Sequence, residues 1–376
     1  RRACCTGGLG TIYAAGAQHL HQNEGHRRHG GSDAGGACES LRALQGEYFA
    51  EDIELPADAS SWTEPEARSF FESGGENRPI LGAALSDILL EPVGCGRFSG
   101  RPSVFETNDG CRIIYHLSRG QKTPVVLLGG GSSGRDEACR CYGAESELLR
   151  EHTVLIFDRR NTGASDVSYT SQGNTPFCEI TAQACDLAEL LAHLQLPPAI
   201  LLGHSSGARL LCRFAFAYPA RVRALVLCIL TGGKKAAKEI PRQYYLKYAG
   251  LAERGGMEAV LSHPYFAERG RLNGRVARTL RGMEPAVFAS ACRSSAHLLQ
   301  VSKYEPALGL PHTALASLSA PTLVLSYLPS PGDGMHTAEV ARAVAAAIPT
   351  AGEALVSQDP TEWHSAVACF IAEHST

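Results

Sequence analysis

The sequence predicts an α/β fold: a mostly parallel sheet with helices on both faces and a helical insert that serves as a lid. Three observations carry this. Short apolar runs of strand length alternate with longer stretches of helical period. One of those runs stops at a Gly-x-Ser-x-Gly pentapeptide. The strand texture then lapses between Thr231 and Ala320 and resumes at Pro321-Thr322-Leu323-Val324-Leu325.

The pentapeptide organises the rest. Ala199-Ile200-Leu201-Leu202 leads into Gly203-His204-Ser205-Ser206-Gly207, with Pro197-Pro198 before it. Behind it Ala208, Leu211, Cys212 and Ala215 repeat at helical spacing until Pro219, and a second apolar run, Val222 to Leu230, follows. Strand, elbow, helix, strand is the context in which such a serine is held in a strained turn. The two glycines remove side chains that would collide there. Ser205 is therefore the candidate nucleophile.

The earlier elements fit the same scheme. Ser103 to Thr107 and Cys111 to Leu117 flank Asn108-Asp109-Gly110 as a hairpin, which opens the catalytic core. Val125 to Leu128 is a strand that breaks at Gly129-Gly130-Gly131-Ser132-Ser133-Gly134. The glycine spacing also matches a dinucleotide loop. The segment after it is cysteine-rich and polar rather than an immediate helix, and no acidic residue ends a following strand in the way such a loop usually has it, so no cofactor is expected. Val154 to Phe157 is the next strand, and Ile180, Ala184, Leu187, Leu191 and Leu194 share one face of the helix that follows.

Composition bounds the function. The chain has 376 residues, 44% of them hydrophobic, with a net charge of −3, so it holds a large core and has no charge-based reason to bind nucleic acid. No apolar stretch approaches the roughly 20 residues a membrane helix needs. The 13 cysteines are odd in number and lack Cys-x-x-Cys, which reads as reduced core thiols and a cytoplasmic location. Residues 1–45, rich in Gly, His, Arg and Ala, are expected to be a disordered leader. His19, His21, His26 and His29 lie in it without an acid or thiol to complete a metal site. Residues 46–102 form an N-terminal extension, with a capping box at Thr63-Glu64-Pro65-Glu66.

Taken together, the strand ending in Gly129-Gly130-Gly131, the Asp-x-Arg-x-x-Gly-x-Ser stretch from Asp158 to Ser165, the elbow at Ser205 and the later Pro-Thr-Leu-Val strand resemble the α/β-hydrolase superfamily. Within it the chain resembles the esterase, lipase and proline-iminopeptidase-like branch. The core would be 103–230 and 321–372, and the lid 231–320. The resemblance implies a serine hydrolase that cleaves an ester or related acyl bond of a small molecule through an acyl-enzyme. Its oxyanion hole would be the backbone N–H groups of Ser206 and Gly131. No metal or organic cofactor is implied. Tyr244, Tyr245, Phe266, Phe288 and Leu298 of the lid are candidates for the acyl pocket or for lid packing. A fold of this family that binds a small ligand without turnover is the alternative.

Asp333, in Ser330-Pro331-Gly332-Asp333-Gly334-Met335-His336, follows a strand that follows the nucleophile and is the candidate acid. The base is open between two histidines. The loop after a last strand at Glu353 to Ser357 contains none; His364 comes just after it, at the start of a final helix carrying Trp363, Ala366, Val367 and Phe370, whereas His336 lies in the acid's own loop. Chain order favours His364, and the short turn to Asp333 favours His336. The sequence does not set the oligomeric state.

Overall fold

The computed structural model describes residues 98, 101–142, 149–170, 177–327, 334–357 and 359–375. The expected leader, nearly all of the N-terminal extension and Asp333 lie outside the described residues. Eight strands form one sheet: β1 (Ser103–Glu106), β2 (Arg112–Ser118), β3 (Lys122–Leu128), β4 (His152–Phe157), β5 (Ala199–His204), β6 (Val222–Cys228), β7 (Thr322–Ser326) and β8 (Leu355–Val356). Their spatial order is β1-β2-β4-β3-β5-β6-β7-β8. The predicted hairpin is the antiparallel β1–β2 pair, β2 is antiparallel to β4, and every later pairing is parallel.

Period-two alternation sends neighbouring side chains to opposite faces, and each face meets its own helices. Val125 and Leu127 of β3 join a core with Ile200, Leu202, Trp363 and Ile371. Val126 and Leu128 join the other, with Leu201, Leu187, Leu211 and Val344. The helices that cover these faces are α1 (Arg135–Tyr142), α2 (Glu179–His193), α3 (Ser206–Ala217), α10 (Ala338–Ala347) and α11 (Pro360–His374). Between β6 and β7 lie α4 (Gly233–Pro241), α5 (Lys247–Leu261), α6 (Pro264–Leu272), α7 (Gly274–Arg281), α8 (Pro285–Val301) and α9 (His312–Ala316), with a π-helical turn, Arg242–Leu246, joining α4 to α5. Phe266 and Phe288 are fully buried among these helices, with Tyr248 and Val260, in a core that Val167, Tyr169 and Phe177 join from the segment before α2.

Three local expectations change. Helix α1 begins directly after the glycine loop, because the Arg135 N–H is met by the Asp158 carboxylate at 2.6 Å and Asp136 and Glu137 occupy the first turn, where carboxylates oppose the helix dipole. The last strand shrinks to Leu355–Val356, which pairs with only two residues of β7. Cys139 is disulfide-bonded rather than reduced, whereas Cys111, Cys178, Cys185, Cys212, Cys228, Cys292 and Cys369 are free thiols. Among the described residues no helix is long and apolar enough to cross a membrane.

Candidate active site

Ser205 is placed by the elbow between β5 and α3. Its backbone sits at φ 52° and ψ −110°, a conformation that costs a non-glycine residue about 1–3 kcal/mol. Neighbouring contacts hold it there: the Ser205 N–H donates to the Cys228 carbonyl at 2.9 Å, and its own carbonyl accepts from Arg209 N–H at 3.1 Å as α3 starts. The flanking glycines are required by close approach. A Cβ on Gly203 would come within 2.7 Å of the Ala208 nitrogen, and one on Gly207 within 2.6 Å of the Gly129 carbonyl oxygen. The motif thus locks the nucleophile loop against the glycine loop.

His336 lies opposite, half-buried and one residue before Thr337, whose hydroxyl caps α10 by accepting the Val340 N–H at 3.3 Å. Its Nε2 stands 3.2 Å from Ser205 Oγ. His364, by contrast, is exposed on α11, which is started by the Asp359 carboxylate accepting the Thr361 N–H at 2.8 Å. The structure therefore brings Ser205 and His336 together and leaves His364 on the surface. His204 packs beside Gly130, with its Nδ1 buried and without a hydrogen-bond partner. Burial pushes its pKa down to about 4, and the neighbouring His336 adds to the shift. The ring is neutral at physiological pH.

Gly131 and Ser206 lie side by side. Gly131 takes φ 52°, the left-handed region that favours glycine. The Ser206 hydroxyl donates to the Gly131 carbonyl at 2.9 Å, and one buried guanidinium joins both: Arg159 Nη1 donates to Ser206 Oγ at 3.0 Å and Nη2 to the Gly131 carbonyl at 2.8 Å. Ser206 is the first residue of α3, so its peptide N–H is among those without an intrahelical acceptor.

The Asp158 to Ser165 stretch explains how Arg159 is held. The Asp158 carboxylate accepts from Arg135 and Ala164 backbone N–H groups, at 2.6 and 2.8 Å, and pairs with the Arg135 guanidinium. Arg160 turns the other way, to Asp186 at 2.5 Å and Asp109 at 2.9 Å. Arg159, between these two anchored residues, is left pointing at the serine loop.

Two further groups adjoin the site. Arg209, one helical turn after Ser205, is buried; Nη1 donates to the Leu308 carbonyl at 3.2 Å, and Nε has no partner. Its signal was legible as an arginine within the apolar stripe of Ala208, Leu211 and Cys212. The π-helical turn carries Tyr244 and Tyr245 inward. The Tyr244 hydroxyl lies 3.3 Å from where a Cβ on Gly131 would stand, and the Tyr245 hydroxyl donates to Glu179 Oε2 at 2.6 Å. Among the described residues no group of three His, Cys, Asp or Glu is placed to hold a metal ion.

Comparison with known proteins agrees with this fold. A family profile described as alpha/beta hydrolase fold matches residues 123–238. A Bacillus subtilis protein named as a 2-succinyl-6-hydroxy-2,4-cyclohexadiene-1-carboxylate synthase is 39% identical over 133 residues, 34% of this chain and 47% of that one. An Azorhizobium caulinodans protein named as a carbamate hydrolase is 28% identical over 156 residues, 41% of this chain and 54% of the relative. An Arabidopsis thaliana proline iminopeptidase is 29% identical over 104 residues, 28% of this chain and 26% of the other. The chain spans about half the length of the first two.

Proposed function

We propose that the chain, whose residues 123–238 match an alpha/beta hydrolase fold profile, is a serine hydrolase that cleaves an ester or related acyl bond of a small molecule through an acyl-enzyme. The observation that carries this reading is the 3.2 Å approach of His336 Nε2 to Ser205 Oγ. In this reading His336 takes the hydroxyl proton as Ser205 Oγ attacks the acyl carbon. The oxyanion of the tetrahedral intermediate is met by the peptide N–H groups of Gly131 and Ser206. The intermediate collapses as the imidazolium returns the proton to the leaving alcohol, and water, activated by the same imidazole, repeats the sequence to free the acid. Asp333, three residues before His336, is assigned as the carboxylate that orients the imidazole, which keeps the chain order Ser, Asp, His. The helices between β6 and β7 act as the lid.

The test is a panel of p-nitrophenyl esters of increasing acyl length with purified protein. Turnover is expected for at least one, lost in Ser205→Ala while the circular dichroism spectrum is kept. Equal turnover by Ser205→Ala would overturn the reading, and so would the absence of turnover across acyl classes together with no covalent labelling.

A further inference from the structure

Buried arginines among the described residues differ in what they meet. Arg112, Arg135 and Arg160 each meet a carboxylate. Arg159 and Arg209 do not: their hydrogen bonds go to the Ser206 hydroxyl and to the carbonyls of Gly131, Ser133 and Leu308, and Arg209 Nε has no partner. Both are more than nine-tenths buried, Arg159 at 3% exposure and Arg209 at 7%. Arg269, also buried, donates to the Ser165 carbonyl and lies over the face of Tyr265, and its Nε and Nη1 have no partner; it stands away from the nucleophile, on helix α6.

The charges around the two guanidiniums do not balance. Glu179 is the acid that acts on both, and its oxygens are already engaged by Asn161 Nδ2 at 2.8 Å and Tyr245 OH at 2.6 Å. Among the described residues that act on both guanidiniums Glu179 is the carboxylate, so positive charge outweighs negative in a poorly hydrated place, where an unpaired charge is costly. Burial accordingly pushes both arginines below their ordinary range. The Tyr244 hydroxyl lies in the field of both, beside Gly131, and makes no hydrogen bond with the described residues. Ser205, Ser206, Gly131 and Tyr244 are all partly exposed, so solvent reaches this corner.

Taking Ser205 as the nucleophile, as proposed above, we infer that the acyl substrate carries a carboxylate, received by Arg209 with the Tyr244 hydroxyl in a corner kept positive by Arg159. An anion matches the positive excess, and a planar carboxylate fits the fork geometry of a guanidinium. Arg209 is set one helical turn beyond the nucleophile, so the anion and the scissile carbonyl belong to the same small molecule. The anionic group orients the acyl chain; Ser205 and His336 do the chemistry.

The experiment compares the p-nitrophenyl half-ester of glutaric acid with p-nitrophenyl valerate, a neutral ester of equal chain length. The expected result is a kcat/KM preference for the half-ester of about 10- to 100-fold, the range of one or two hydrogen bonds to a charged group. In Arg209→Met that preference falls to near one, and in Arg209→Lys it is partly kept. Glutarate is titrated separately into Ser205→Ala by calorimetry, where binding is expected and is lost in the Ser205→Ala/Arg209→Met double variant. Equal kcat/KM for both esters in the wild-type protein, or no glutarate binding by Ser205→Ala, would overturn the inference, and neither measurement depends on an arginine variant folding. Failure of both esters to turn over would count against the hydrolase reading alone, since the glutarate titration still decides the anion site.

Discussion

Ser205 Oγ meets His336 Nε2 at 3.2 Å although 131 residues separate them in sequence. The imidazole reaches the serine from the loop after β7, while the histidine that follows β8, His364, faces solvent. His336→Ala is therefore expected to lower kcat/KM by about 10³-fold or more. His364→Ala should match the wild-type protein. The reverse pattern would move the base to α11.

Arg159 ties the two proposed oxyanion donors together through Ser206 Oγ and the Gly131 carbonyl. Arg159→Met should lower kcat for a neutral ester by about tenfold or more, with a smaller change in KM, because the lost constraint acts on the charge that develops in the transition state. Gly131→Pro should lower kcat by about 10²-fold or more, since proline removes one oxyanion donor and also forbids the φ of 52° that Gly131 takes. A rise confined to KM in Arg159→Met would assign the guanidinium to substrate binding instead.

His204 links stability to pH. Its folded pKa is about 4, against 6.5 when unperturbed, so between these values the unfolded chain binds more protons than the folded one and stability rises with pH. This destabilisation is absent above 6.5 and grows as pH falls through the window. Tm measured from pH 7 to pH 4 should drop less steeply in His204→Asn than in the wild-type protein. Parallel curves would show that the ring is solvated.

Arg160 is buried between Asp186 and Asp109. Asp186→Ala leaves that guanidinium short of its main partner, and the expected loss is about 3–5 kcal/mol of unfolding free energy in a urea titration. A change below about 1 kcal/mol would mean that the loop from Asp158 to Ser165 is not held by this pair.

Strands β3 to β7 and the elbow were legible in the sequence, because buried parallel strands are continuous apolar runs and the elbow glycines are fixed by local crowding. Helix α1 was not, since its polar start depends on the Asp158 carboxylate, which arrives from 23 residues further along. The two residues of β8 are too few to show a period. The choice between His336 and His364 depends on where two loops end in space, which no spacing encodes. Arg209 was visible as a charge inside an apolar stripe, whereas Arg159 lies in a polar run beside Arg160, and the sequence alone does not tell a buried arginine that meets a carboxylate from one that does not.

The most direct test of the central claim is the intact mass of the protein after reaction with a fluorophosphonate, followed by peptide mapping. A single adduct on Ser205, absent in Ser205→Ala and formed much more slowly in His336→Ala, is the predicted result. No adduct, or one on another residue with Ser205 unmodified, would contradict a nucleophilic Ser205 activated by His336.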